Sequence, residues 1–311
     1  MGRILLFLLW FSAGMCVCFP VAPANPATSA SPYLKAGNSA PSLFAFAQSL
    51  FDAGEFYRAI GEFQRFLFFQ PQHPLASEAQ LTIGLAFFCG ERWLSAFEVF
   101  RRVARAAPDP SLRPEGSLWM AEARARGGDQ EDAIRLYRDL MRQYPGSTIA
   151  ERAAYLVGWS YMRQRQWTEA RQAFAQVDPA TPYRASAERL ATALNPTPDL
   201  PQRSPTLARI LSTVLPGAGQ IYTGQTVDGL IDLGLHGAMI AGTTGAVLAG
   251  LKGAAGLGAF FTWGFYSAQM SNAANSARNF NSQAEERFIG QLAAQERSFL
   301  NAFPRSLPCS P

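Results

Sequence analysis

Small, aromatic and apolar residues recur along the first half of the chain with a period of 37 residues, set by Ala59, Ala96, Ala133 and Ala170. Each alanine is followed by an aromatic four residues on (Phe63, Phe100, Tyr137, Phe174) and an apolar residue seven on (Phe66, Val103, Leu140, Val177). A proline follows twelve on (Pro71, Pro108, Pro145, Pro182). Offsets of four and seven put these side chains on one face of a helix. The proline cannot extend that helix and marks its end. Twelve positions before each alanine stands another small residue, Ala47, Gly84, Ala121 or Gly158, on a preceding helix. The turn-like stretches Ala53-Gly54-Glu55, Gly90-Glu91-Arg92, Gly127-Gly128-Asp129 and Gln164-Arg165-Gln166 separate the two helices of each unit. Such a period predicts an all-α fold, a helical solenoid of four helix pairs over residues 43–194.

The pattern changes at Asn195-Pro196-Thr197-Pro198-Asp199-Leu200-Pro201, part of a stiff proline-rich joint over residues 195–205. Beyond it charge nearly vanishes. From Gly229 to Leu251 the ionisable residues are Asp232 and His236, and from Gly253 to Met270 the sole titratable side chain is Tyr266. These lengths suit two membrane-spanning helices, 229–251 and 253–270, in a membrane domain of residues 206–282, with the lipid bilayer as a partner. Small residues fall every fourth position at Gly234, Ala238, Gly242, Ala246 and Gly250, and the count continues to Ala254 and Gly258. A stripe of this kind would pack the hairpin along itself and offers a route to homo-oligomers. Residues 283–311 form a tail, with Phe280, Ala284, Phe288, Leu292 and Phe299 on an amphipathic stripe suited to the membrane surface or to the repeats.

The ends of the chain bear on its compartment. Arg3, the apolar run from Ile4 to Phe19 and Ala22-Pro23-Ala24 read as a secretory signal peptide, residues 1–24, followed by a Pro/Ala/Ser-rich leader, residues 25–42. The expected location is a bacterial inner membrane with the repeats in the periplasm. A hairpin returning to that side leaves Lys252 in the cytoplasm and Arg203, Arg209 and Arg278 outside, against the positive-inside bias. The formal charge of +4 over 311 residues is modest and dispersed, so no nucleic-acid surface is expected. Removing the signal leaves two cysteines, Cys89 and Cys309, expected as a packed thiol and a tail thiol because nothing in the sequence joins them. His73 and His236 stand too far apart in sequence to suggest a metal site, and no cofactor is implied.

The repeats resemble the tetratricopeptide repeat: Gly84, Phe87, Ala96, Phe100 and Pro108 match its consensus in the second unit, and Gly158, Tyr161, Ala170 and Phe174 in the fourth. The usual period is about 34 residues, so each unit carries a longer inter-repeat segment. That lengthening is similar to periplasmic repeat proteins of outer-membrane assembly and the Tol-Pal system. Residues 211–224 resemble the LPGxGQxYxG marker of a bacterial two-helix membrane domain, keeping Pro216, Gly217, Gly219, Gln220, Tyr222 and Gly224, with Gly229 beyond. Here Pro216 would break a helix, and Gln220 and Tyr222 would sit at the membrane interface. The same stretch copies the spacing of a P-loop but has Gln225 where the phosphate-binding lysine belongs.

Function then turns on surfaces. In tetratricopeptide-like solenoids the first helix of each repeat lines a groove that takes peptide partners. By that resemblance the groove presents Phe44, Gln48, Phe51, Leu81, Leu85 and Phe88, then Leu118, Glu122, Tyr155, Trp159 and Met162, with Tyr155 and Trp159 as anchors. An apolar face of this kind marks a protein contact or is filled from within by the leader or the tail. No catalytic constellation stands out on the repeats, so the expectation is a non-enzymatic scaffold in cell-envelope or outer-membrane assembly. The alternative is a small transporter or proton relay on Asp228, Asp232 and His236, which are four apart and share a helix face. On the blander reading of those three, Asp228 caps the helix and His236 bonds a neighbouring one.

Overall fold

The structure, a computed structural model, describes residues 40–301 and Cys309. The signal peptide and most of the leader lie outside the described residues. Helix pairs α1 (Ala40–Asp52) with α2 (Phe56–Phe69), α3 (Ala76–Cys89) with α4 (Trp93–Ala106), α5 (Arg113–Arg126) with α6 (Gln130–Gln143), and α7 (Thr148–Arg163) with α8 (Trp167–Ala175) form the solenoid. Helix α9 (Arg184–Ala193) closes it. Then come α10 (Pro205–Val214), the short α11 (Ala218–Tyr222), α12 (Thr226–Leu248), the long α13 (Lys252–Gln295) and α14 (Arg297–Leu300).

The repeat arithmetic has a direct physical cause. Gly84 on α3 faces the Phe100 ring of α4 so closely that an added Cβ would lie 2.4 Å from it, and Gly158 stands the same way 2.5 Å from Phe174. All four key alanines and their aromatics are buried. The turn inside each pair holds one residue in the left-handed region, at Gly54, Glu91, Gly128 and Arg165, again 37 apart. Glycine takes that conformation freely, whereas Glu91 and Arg165 adopt it against a Cβ penalty of roughly 1 kcal/mol. Helices α2, α4 and α6 end two residues before Pro71, Pro108 and Pro145. The fourth unit departs, because α8 stops at Ala175, well short of Pro182.

Buried side chains form successive clusters along the solenoid, the first around Phe63, Phe100 and Trp119, the second around Tyr137 and Leu156, the third around Tyr155, Trp159 and Phe174. The third also contains Leu292 of α13, with Phe288, Phe299 and Leu300 packed against it. The end of the chain therefore completes the core of the repeats.

Substituting Gly84→Val should overpack the α3–α4 contact and cost about 1–3 kcal/mol, seen as a lower midpoint in thermal unfolding. Gly61→Ala, at an α2 position where an added Cβ meets nothing within 4 Å, should be neutral or stabilising.

Candidate protein-interaction site

The first helices α1, α3, α5 and α7 carry the residues expected to line an open groove, and the structure places them elsewhere. Phe51, Leu81, Leu85, Phe88, Leu118, Tyr155, Trp159 and Met162 are all buried. Phe44 and Gln48 are half-buried, Phe44 packed edge-on against Phe63 and Phe66 at 5.4 and 5.6 Å. Phe88 contacts Trp93 and Trp119 at 5.0 and 5.3 Å between ring centroids. Glu122 is buried too, near the Tyr137 phenol, which burial and then the Glu122 charge push well above its ordinary pKa. Helices α3, α5 and α7 each sit between two second helices, so apolar residues that look like one groove face are mostly consumed by the core.

Tyr155 and Trp159, the expected anchors, are buried in a cluster that Tyr183, α9 and the tail's Leu292 complete. The Tyr155 hydroxyl shares a 2.7 Å hydrogen bond with Ser186, and its ring stacks on Tyr183 at 5.2 Å. Burial raises the Tyr155 pKa. From the other side, Phe288 meets Trp167 edge-on at 5.9 Å and Phe299 meets Tyr183 at 6.4 Å. The tail thus lies against this cluster.

Charge complementarity fixes the tail along its length. Arg165, held at φ 61° in its turn, pairs with Glu285 and donates to the Ser282 hydroxyl at 2.9 Å. Arg189 grips both carboxylate oxygens of Glu296 at 2.8 and 2.7 Å. Arg152, 2 % exposed, donates to the carbonyls of Phe299 and Leu300 at 3.3 and 2.7 Å. Burial by itself would raise the Glu296 pKa, but the hydrogen bonds from Arg189 and Ser186 and the Arg189 charge outweigh it and hold it low.

Farther on, Cys309 forms a disulfide with Cys89 of α3, Cα to Cα 5.3 Å, which corrects the expectation of two separate thiols. The bond joins residues 220 apart, a distance across which spacing carries no signal. Cys309 is thus held at the second repeat, while Phe299 packs on the cluster of the fourth.

The glycine motif builds a second, polar junction. Helix α10 ends just before Pro216, as expected of a breaker, and Gly217 turns at φ 86° with its Cα so close to Gly229 that a Cβ would lie 1.9 Å from the Gly229 carbonyl oxygen. A Cβ on Gly219 would lie 2.2 Å from the Ala208 carbonyl oxygen and 2.7 Å from the Ala273 Cβ. Close approach, not phosphate binding, is the use of these glycines. The Gly219 N–H donates to Ser212 at 3.0 Å, Ser212 donates to Gln220 at 3.1 Å, and the Gln220 amide donates to Asp232 at 2.7 Å. Gln220 is therefore buried in a junction and not at an interface. The Tyr222 hydroxyl accepts from the Ser204 N–H at 3.2 Å, with Arg203 over its ring at 5.0 Å. Gly224 makes the left-handed turn before α12.

The relay constellation is only partly assembled. His236 donates from Nδ1 to the Asp232 backbone carbonyl at 2.8 Å, a bond within its own helix and not to a neighbour, and its ring lies 5.9 Å from Tyr266. Asp228 is exposed and makes no capping bond at the start of α12. Among the described residues no group of three or more His, Cys, Asp or Glu comes together to hold a metal ion. A groove of about 460 Å³ opens between the second and third repeats, where Arg124 lies over Phe97 at 3.9 Å.

The stripe's glycines from Gly234 to Gly250 do not pack the hairpin. At Gly234, Gly242 and Gly250 an added Cβ would meet nothing within 4 Å. Of the stripe it is Gly258 that meets the other helix, 2.6 Å from the Thr243 hydroxyl by the same measure, with Thr243 beside Thr262. Thr226–Leu248 is the one described helix long and apolar enough to cross a membrane. The second expected span is the opening part of the 44-residue α13.

Two tetratricopeptide-repeat family models match the chain, one over residues 44–110 and the other over 115–147 and 152–177. A similar solved structure is that of a tetratricopeptide repeat protein from Parabacteroides merdae, at 16% identity and a TM-score of 0.41, covering 83% of this chain and 98% of that one. A comparison with curated proteins finds no match. The first half of the chain is built of tetratricopeptide repeats, which in general mediate contacts between proteins.

Two outcomes follow from these contacts. A carboxylate whose pKa is lowered by docking stabilises the docked form at neutral pH, and that stabilisation fades as pH falls from about 4.3, the ordinary Glu value, through the lower docked value. Hydrogen exchange of the 296–301 amides, corrected for intrinsic rates, should lose protection in that window, and Glu296→Gln should remove the step; an unchanged profile in the variant would exclude the Arg189 pair as its cause. In the hairpin, Gly258→Leu should lower the yield of folded protein and its melting temperature in detergent, while Gly242→Leu should be tolerated.

Proposed function

We propose that this protein is a non-enzymatic, membrane-attached scaffold of the bacterial cell envelope whose tetratricopeptide repeats engage a protein partner outside the cytoplasm. The observation that carries the reading is how the chain divides its surface. On α12 and the opening part of α13, large apolar side chains such as Leu230, Ile231, Phe260 and Trp263 are more than half exposed. Apolar exposure on this scale suits lipid. A disulfide between Cys89 and Cys309 fits an oxidising compartment, which agrees with the signal-like start at Arg3 to Ala24. The long inter-repeat segments favour the periplasmic type of repeat, and with it a role in envelope or outer-membrane assembly.

In this arrangement α12 and the start of α13 form the membrane hairpin. The polar junction at Gln220 and Asp232 joins it to α10, and the second half of α13 returns to the repeats. Lys252, between the spans, faces the cytoplasm.

Phosphatase fusions test the topology. A reporter joined after Asn195 should be active and one joined at Lys252 inactive. The reverse pattern would place the repeats in the cytoplasm and remove the basis for an envelope role.

A further inference from the structure

We propose that the C-terminal tail is a disulfide-latched resident of the partner site, and that the site takes an amphipathic acidic helix of the tail's own chemistry once the Cys89–Cys309 bond is reduced. This rests on reading the repeats as the partner-binding part of the chain, and adds which ligand they take and what controls access.

The tail presents Phe288, Leu292, Glu296 and Phe299, at i, i+4, i+8 and i+11, to the repeats. That spacing keeps two apolar anchors, one carboxylate and one further aromatic on a single helical face. The receiving surface answers each of them. Trp167 meets Phe288, the Tyr155 and Trp159 cluster buries Leu292, Arg189 takes Glu296 in a two-pronged grip, and Tyr183 meets Phe299. Arg152 is a further selector. It is buried and directed at two backbone carbonyls just past Glu296, so it rewards a ligand helix that ends there with its last carbonyls free. A competing helix is expected to supply the same pattern of anchors, carboxylate and terminal carbonyls.

The latch follows from connectivity. The tail is continuous with α13 at one end and bonded to α3 at the other, so both of its ends are fixed and a competing helix meets a resident at very high effective concentration. Cys89 and Cys309 are both half-buried, within reach of a reductant. A dithiol of the thioredoxin class supplies the electrons. Its first thiolate attacks one sulfur of the bond, giving a mixed disulfide and releasing the other cysteine as a thiolate that takes a proton. Its second thiolate then displaces the remaining cysteine, leaving Cys89 and Cys309 as thiols and the reductant as its own disulfide. Two electrons pass from reductant to protein, and the far end of the tail is free.

The test uses the full chain in detergent micelles and a fluorescein-labelled synthetic peptide with the sequence of residues 283–301, followed by anisotropy. The oxidised chain should bind weakly, the dithiothreitol-treated chain at least tenfold more tightly, and Cys309→Ser as tightly as the reduced chain without any reductant. Adding Leu292→Asp to Cys309→Ser weakens the resident tail and should tighten peptide binding further. A peptide with Glu296→Lys should lose binding and regain it on the Arg189→Glu chain. Equal affinity in the oxidised, reduced and Cys309→Ser forms, or indifference to both charge reversals, would overturn the proposal, provided circular dichroism shows unchanged helix content. The underlying scaffold reading fails separately. If a cellular partner crosslinks equally to oxidised and reduced chains, the scaffold stands and the latch falls. If peptide exchange follows the redox state but neither form captures a partner in cells, the latch stands and the scaffold falls.

Discussion

Close approach between the two helices of each repeat is the constraint on which the rest of the structure depends. It needs a residue with little or no side chain at Ala47, Gly84, Ala121 and Gly158, and an aromatic sixteen residues later to lie against it. Dispersion contacts of this kind are individually small and fall off steeply with separation, so the repeat length cannot drift without losing them. The left-handed residues at Gly54, Glu91, Gly128 and Arg165 keep the same spacing because the turn must return the chain to the same contact. At Arg165 the strained turn also aims a guanidinium at the tail, so a geometric requirement of the solenoid becomes part of its surface chemistry.

Stacking such pairs leaves the first helices apolar on both sides. One side is filled by the second helices, and in the last repeat the other side is filled by α13 and α14. A solenoid whose end is exposed needs a cap, and here the cap is drawn from the far end of the chain. The arginines do the selecting. Arg152, Arg165 and Arg189 each meet an oxygen of the tail, and the planar two-pronged geometry at Glu296 is one a lysine could not reproduce.

Much of the fold was legible before any coordinates, and the parts that were not have physical reasons. Period and proline spacing located the helix pairs, because both report backbone constraints that act within a few residues. The partner face differs because an apolar helical stripe says that something covers it but not what: Leu81, Phe88 and Leu118 turn inward to the core of the repeats, and Trp159 joins a cluster that Leu292 of the tail completes. That the tail carried a matching stripe was visible, but its seat on the fourth repeat was not, since Glu296 with Arg189 and Cys309 with Cys89 are long-range pairings without a local signature. The stripe from Gly234 to Gly250 misled for a related reason. Small residues permit close packing but do not compel it, and of the stripe it is Gly258, against Thr243, that makes the hairpin contact. In the glycine motif Pro216 and Gly217 signal a chain reversal locally, whereas the burial of Gln220 depends on Ser212 and Asp232 arriving from two other helices.

The account stands most directly on the joining of the tail to the second repeat. Protein purified from cells under alkylating, non-reducing conditions can be digested and its cysteine-containing peptides weighed by mass spectrometry. A disulfide-linked pair carrying Cys89 and Cys309 is the expected product, converted by reduction into two separate peptides. Recovery of both cysteines as alkylated thiols, with no linked pair, would contradict a latched tail.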